Sequence, residues 1–123
     1  MGEVIQLHAR SEHSKKQKML ASVQSISAGL EQIESRAEQS ITRLFLANAF
    51  PTMRLELAMI GTNAKRLRSE ALRIETGLRS GVDLSAEIGA LLSHVGQLEQ
   101  EIADTYHAIY RQVSNLTNLP RNL

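Results

Sequence analysis

The sequence predicts an all-α fold, an elongated antiparallel three-helix bundle with heptad, coiled-coil-like packing that forms a dimer. Three observations predict it. Apolar residues recur at alternating intervals of four and three along three separate stretches, the spacing that holds one stripe of a helix against a partner. Only two prolines punctuate 123 residues, so long helices meet few breakers. The aromatics are just Phe45, Phe50, Tyr106 and Tyr110, with no Trp, too few for strands built on aromatic side chains.

The expected organisation is a flexible leader over 1–11, one helical domain over 12–119 and a tail over 120–123, with helices over 12–48, 52–79 and 84–118. In the first helix the seam is Met19, Val23, Ile26, Leu30, Ile33, Ala37 and Leu44, with Ser40 in one slot. Asn48-Ala49-Phe50-Pro51 ends it, because the residue before a proline is pushed out of the α region and Pro suits a helix's first turn. The second helix has an unbroken seam of Met53, Leu57, Ile60, Ala64, Leu67, Ala71, Ile74 and Leu78. Ser80-Gly81-Val82-Asp83 breaks it, with Gly81 suited to a left-handed C-cap and Asp83 or Ser85 to capping the third helix. The third helix runs through Leu84, Ile88, Leu91, Val95, Leu98 and Ile102, then slips by one residue to Tyr106, Ile109, Val113 and Leu116. Such a stutter locally unwinds a supercoil. Pro120 closes the helix. Short connections make consecutive helices antiparallel. Ahead of them, Val4, Ile5 and Leu7 form a small apolar knot that reads as a frayed tail or as an arm for a partner.

Composition excludes several kinds of chemistry. With no cysteine there is no disulfide, thiolate nucleophile or zinc-thiolate site. No apolar run is long enough to cross a bilayer, and Gln6 stands where myristoylation of Gly2 wants Ser or Thr. The expectation is a soluble, cytoplasmic protein without membrane contact. A net charge of +1 argues for no partner. Its distribution does more: residues 52–79 are net basic and 80–119 net acidic, so these segments are expected to face each other.

Catalysis finds no footing. His94 and His107 lie thirteen residues apart, and no paired helical His ligands occur. No cofactor or metal is expected, and the chain reads as a non-enzyme. His94, within Ser93-His94-Val95-Gly96-Gln97-Leu98, supports only a distant reading as a phosphotransfer histidine, since Gln97 stands where a lysine is wanted.

Contact surfaces are the better candidates. Antiparallel packing gathers Phe45, Leu46, Phe50, Leu55, Met59, Tyr106 and Tyr110 at one end, where they read as core that includes a dimer contact or as a docking patch. Ala86, Gly89, Ala90, Ser93 and Gly96, with a shorter strip of Ser22, Ser25 and Gly29, read as tight packing inside the bundle, with a dimer face as the alternative. Arg54, Lys65, Arg66, Arg68 and Arg73, together with Lys15, Lys16 and Lys18, give the alternative function, nucleic-acid binding. That basic arc spreads widely and is diluted by leucine, so a solvated face with ion pairs to the acidic third helix is expected instead. The functional expectation is a small regulator, inhibitor or chaperone-like adaptor that captures a helix of another protein through apolar faces and self-associates.

Overall fold

A computed structural model describes residues 2–117, with side-chain surroundings from residue 13 to residue 114. Helices α1 (Gly2–Leu46), α2 (Pro51–Arg79) and α3 (Ser85–Thr117) account for it, and no strand occurs among the described residues. The predicted tail over 120–123, with Pro120, lies outside them. One boundary differs from expectation: α1 begins at Gly2, not at residue 12. Nothing between them breaks a helix, and Glu3, Gln6, Leu7, Ala9 and Arg10 all favour one.

Both turns are built from backbone. At the end of α1, Asn48 takes a left-handed conformation, its N–H donates to the Phe45 carbonyl (3.0 Å), and the Ala49 N–H donates to the Leu44 carbonyl (2.9 Å). At the end of α2, Gly81 (φ 87°) donates to Leu78 (3.1 Å) and Val82 to Gly77 (3.0 Å). This pair of bonds satisfies the last carbonyls of a helix, and the left-handed residue they require is normally Gly or Asn. Phe50 is also left-handed (φ 50°), ahead of Pro51 at the first turn of α2. For a residue with a Cβ that conformation costs roughly 1–2 kcal/mol. At the start of α3 the Asp83 carboxylate accepts the N–H of Ser85 (3.1 Å) and its hydroxyl (2.7 Å), which holds that carboxyl below its ordinary pKa.

Burial follows the predicted seams closely. The core comprises Val23, Ile26, Leu30, Ile33 and Ala37 of α1, Leu57 through Leu78 at the seam positions of α2, and Ile88, Leu91, Val95, Leu98 and Ile102 of α3. Met19, Leu44, Leu84, Tyr106 and Ile109 are partly buried against it. Gly61, outside the seam, is buried too, because a Cβ there would lie 3.8 Å from that of Ala37.

The expected slip after Ile102 does not move the buried position. Thr105, at the unslipped place, is buried, its hydroxyl donating to the Glu101 carbonyl (2.9 Å). An apolar-only count passes over a threonine that satisfies its hydroxyl within its own helix. Tyr106 instead reaches α1, with its hydroxyl 2.9 Å from that of Ser40. The polar slot in the first seam and the irregularity in the third are therefore two halves of one contact.

Helix α2 is the central element: it packs most extensively on α1 and less on α3, while α1 and α3 approach each other least. The α1–α2 pair is antiparallel, Lys16 meeting Arg79 at one end and Glu34 meeting Lys65 further along. Leu84 folding over Gly77, and Glu101 facing Glu56 across a groove, make α2–α3 antiparallel as well.

Candidate functional site

The seven predicted contact residues do share one end of the molecule, where α1 finishes, α2 begins and the last turns of α3 pass. They are not core. Phe45, Leu46, Leu55, Met59 and Tyr110 expose 60–78% of their surface, while Phe50 and Tyr106 are half-buried. The larger part of the core-with-dimer-contact expectation is thus corrected within the single chain. The cause is geometric: each of the five lies off its helix's seam and so turns away from the core.

Nor do they form one face. Phe45 lies on the α2 side of α1, with the Arg54 guanidinium 5.6 Å above its ring. Such a contact is worth about 0.5–1 kcal/mol at an exposed site. Met59 lines a groove of about 420 Å³ between α2 and α3 with Glu56, Ile60, Asn63, Glu101, Asp104 and Thr105. Leu46 and Tyr110 fall on the flanks of α1 and α3 that face each other, next to the Ser40–Tyr106 contact.

The small-residue strips behave differently from expectation. Ala86, Gly89, Ala90, Ser93 and Gly96 are all exposed, and a Cβ at Gly29, Gly89 or Gly96 would meet nothing within 4 Å. Tight packing inside the bundle is therefore not their role in this chain. The glycine held tightest is Gly77, where a Cβ would collide with the Leu84 side chain, while Gly61, buried beside the seam, makes ordinary contact with Ala37.

The basic residues are mostly engaged, chiefly by carboxylates of α1 and of α2 itself. Lys65 lies 3.8 Å from Glu34 and 3.6 Å from Glu38, and Arg68 lies 3.0 Å from Glu34, all across the α1–α2 seam. Glu34 is largely buried, and its contact with Arg68 is an ion pair short of hydrogen-bond geometry. Arg73 pairs with Glu70 in its own helix, holding that carboxyl below its usual range. Arg79 pairs with Glu75 (2.7 Å), which also accepts from Gln24 (3.3 Å). Among the described residues no ion pair joins α2 to α3; the paired counter-charge across helices comes from α1, and Glu87 of α3 acts on Arg73 without pairing with it. Charge sums per segment could not show this, because α1's carboxylates Glu31, Glu34 and Glu38 are gathered on its α2 side. Of the predicted nucleic-acid set, Arg66, Lys15 and Lys18 keep no such partner, and Lys16 donates to the Arg79 carbonyl (3.1 Å).

His94 lines a shallow groove with Arg66, Leu67, Glu70, Glu87, Ala90 and Leu91. Two carboxylates beside an imidazole oppose a phosphoryl group there. Among the described residues no three His, Cys, Asp or Glu side chains gather as metal ligands, and no helix is long and apolar enough to cross a membrane. Comparison of the chain with protein-family models, with curated proteins and with solved structures finds no match in any of the three.

Proposed function

We propose that this is a non-enzymatic protein that works by protein–protein contact, capturing a helix of another protein as a small regulator or adaptor. The observation that carries the reading is the exposure of Phe45, Leu46, Leu55, Met59 and Tyr110 at one end of a chain whose seam residues are buried. Large apolar side chains left exposed at one end, though on different faces, support contact with another chain, and aromatic anchors supply much of the energy of such contacts. Heptad interdigitation of the helices, self-association as a dimer and a cytoplasmic setting belong to the same proposal. The nucleic-acid alternative is weakened by the engagement of Arg54, Lys65, Arg68 and Arg73 within the fold.

The test compares the wild type with Leu55→Ser/Tyr110→Ser in capture from an extract of the source cells, alongside thermal melts and light scattering. Both side chains are exposed, so the melting temperature should stay within a few degrees while the captured protein is lost. Unchanged capture, or global unfolding of the variant, defeats the reading.

A further inference from the structure

The side of the molecule between α1 and α3 is built differently from the other two. Along α1 it carries Ser22, Gly29, Arg36 and Arg43, spaced by seven, and along α3 it carries Ser85, Leu92, Glu99 and Tyr106, again spaced by seven. The Ser40–Tyr106 contact fixes this facing, and the ion pairs of Glu34 and Glu38 put the opposite flank of α1 against α2.

This side is open down to the core. Ile26 and Ile33 of α1, and Ile88, Val95 and Ile102 of α3, each keep 7–9% of their surface exposed, whereas Val23, Leu30 and Ala37 on the α2-facing edge of α1 keep 0%. All five edge-exposed residues border the α1–α3 side. Leu92 is half exposed beside them, and Leu46 and Tyr110 continue the apolar surface to the end of the molecule. The walls are low, since Gly29, Gly89 and Gly96 carry no side chain and face open space.

The rim carries four cations on the α1 wall and a single carboxylate, Glu99, on the α3 wall. Lys18, Arg36 and Arg43 lie along this flank of α1, with Lys15 at its start in a hollow shared with Asp83; all four are exposed and form no ion pair among the described residues. Glu34 and Glu38 of α1 are turned to α2, and α3 contributes Glu99 to this side. Lys18 and Arg36 stand 18 positions apart, roughly 27 Å along the helix. Between them the α1 wall is uncharged, and Glu99 stands on the α3 wall.

We infer that the α1–α3 groove receives an amphipathic helix with acidic flanks, its apolar stripe on Leu92 and the exposed core edge and its carboxylates against Lys15/Lys18 and Arg36/Arg43. A helix in a groove is read by apolar anchors every three or four residues, and rim charges set partner and orientation. A second copy of the chain is a poor occupant, because its own α1–α3 side repeats the same four cations. A nucleic acid is poorer, since an apolar floor gives phosphates nothing and the cations line one wall only. The inference rests on the partner-capture reading above and adds the seat and the chemistry of the partner.

The experiment uses the full chain and two fluorescein-labelled helical peptides of about 21 residues. They share one leucine face and carry either Glu or Lys on the flanks. Fluorescence anisotropy should show the Glu peptide binding and the Lys peptide at least about tenfold weaker, and Arg36→Glu/Arg43→Glu should lower affinity for the Glu peptide about tenfold. Gly96→Leu should block binding while the melt is unchanged or raised, because a side chain there meets open space and leucine favours helix over glycine. Equal binding of both peptides, or none of either, overturns the inference. So does binding of duplex DNA in place of the Glu peptide, or a dimer in light scattering that Gly96→Leu dissolves. If the Glu peptide fails while Leu55→Ser/Tyr110→Ser still abolishes capture of the native partner, this inference falls and the partner-capture reading stands.

Discussion

Leu55 and Leu57 lie two residues apart on α2, and the structure gives them opposite fates: Leu55 is 64% exposed and Leu57 is 0% exposed. Truncating each to alanine separates core from contact surface in one experiment. Leu57→Ala removes buried carbon atoms from the helix that both neighbours pack against, and such truncations cost about 3–5 kcal/mol when the surroundings cannot collapse. For a chain of this size that lowers the melting temperature by roughly 12–20 °C. Leu55→Ala removes atoms already mostly in water, and alanine favours a helix slightly more, so the net change stays within about 0.5 kcal/mol. Urea titration followed by circular dichroism measures both, with the slope m held in common if the transition is two-state. The same preparations enter the capture assay, where Leu55→Ala should weaken binding and Leu57→Ala should matter only through unfolding. Equal stability losses for the two variants would mean that α2 is rotated from the orientation described, and the argument from exposure would fail with it.

Three further outcomes rest on particular contacts. A double-mutant cycle of Glu34→Ala and Arg68→Ala should give a coupling of about 1 kcal/mol, the upper end for ion pairs because Glu34 is largely buried, discounted because Arg68 is not; it should shrink as salt is raised. Thr105→Val should be neutral to mildly stabilising, within about 1 kcal/mol, since the lost hydroxyl bonds only to its own helix. Thr105→Asp, which buries a charge, should cost at least about 2 kcal/mol, and comparable melts for both would put residue 105 at the surface. Asp83 has its pKa lowered by the Ser85 hydroxyl and N–H, so its contribution is present above the ordinary aspartate range and lost as pH falls through the depressed value. Acid titration of Asp83→Ala should show a flatter decline over that window than the wild type, and an unaltered profile would mean that this cap adds nothing to stability.

The candidate surface was legible only in part. Phe45, Leu46, Leu55, Met59 and Tyr110 stand off their seams in the sequence, and all five are exposed. Their distribution over different faces was not legible, because it depends on which neighbour lies on which flank. Thr105 was missed for a chemical reason: a hydroxyl that bonds its own helix occupies an apolar slot without an apolar signature. Gly61 was missed because a seam rule looks along one line, and Gly61 is buried beside it.

What the sequence by itself determined is the helices, most of their ends, and the buried stripe of each. Those are local: a period near 3.5 residues marks the side that leaves water, and Asn48, Gly81 and Pro51 stop or start a helix through their own backbone preferences. What only the tertiary structure decided is the spacing between helices. Glycines at 29, 89 and 96 are written in the same letters whether a backbone packs against them or nothing does. The distance between α1 and α3 is set by side chains on all three helices at once. That collective distance is what leaves one side of this molecule open.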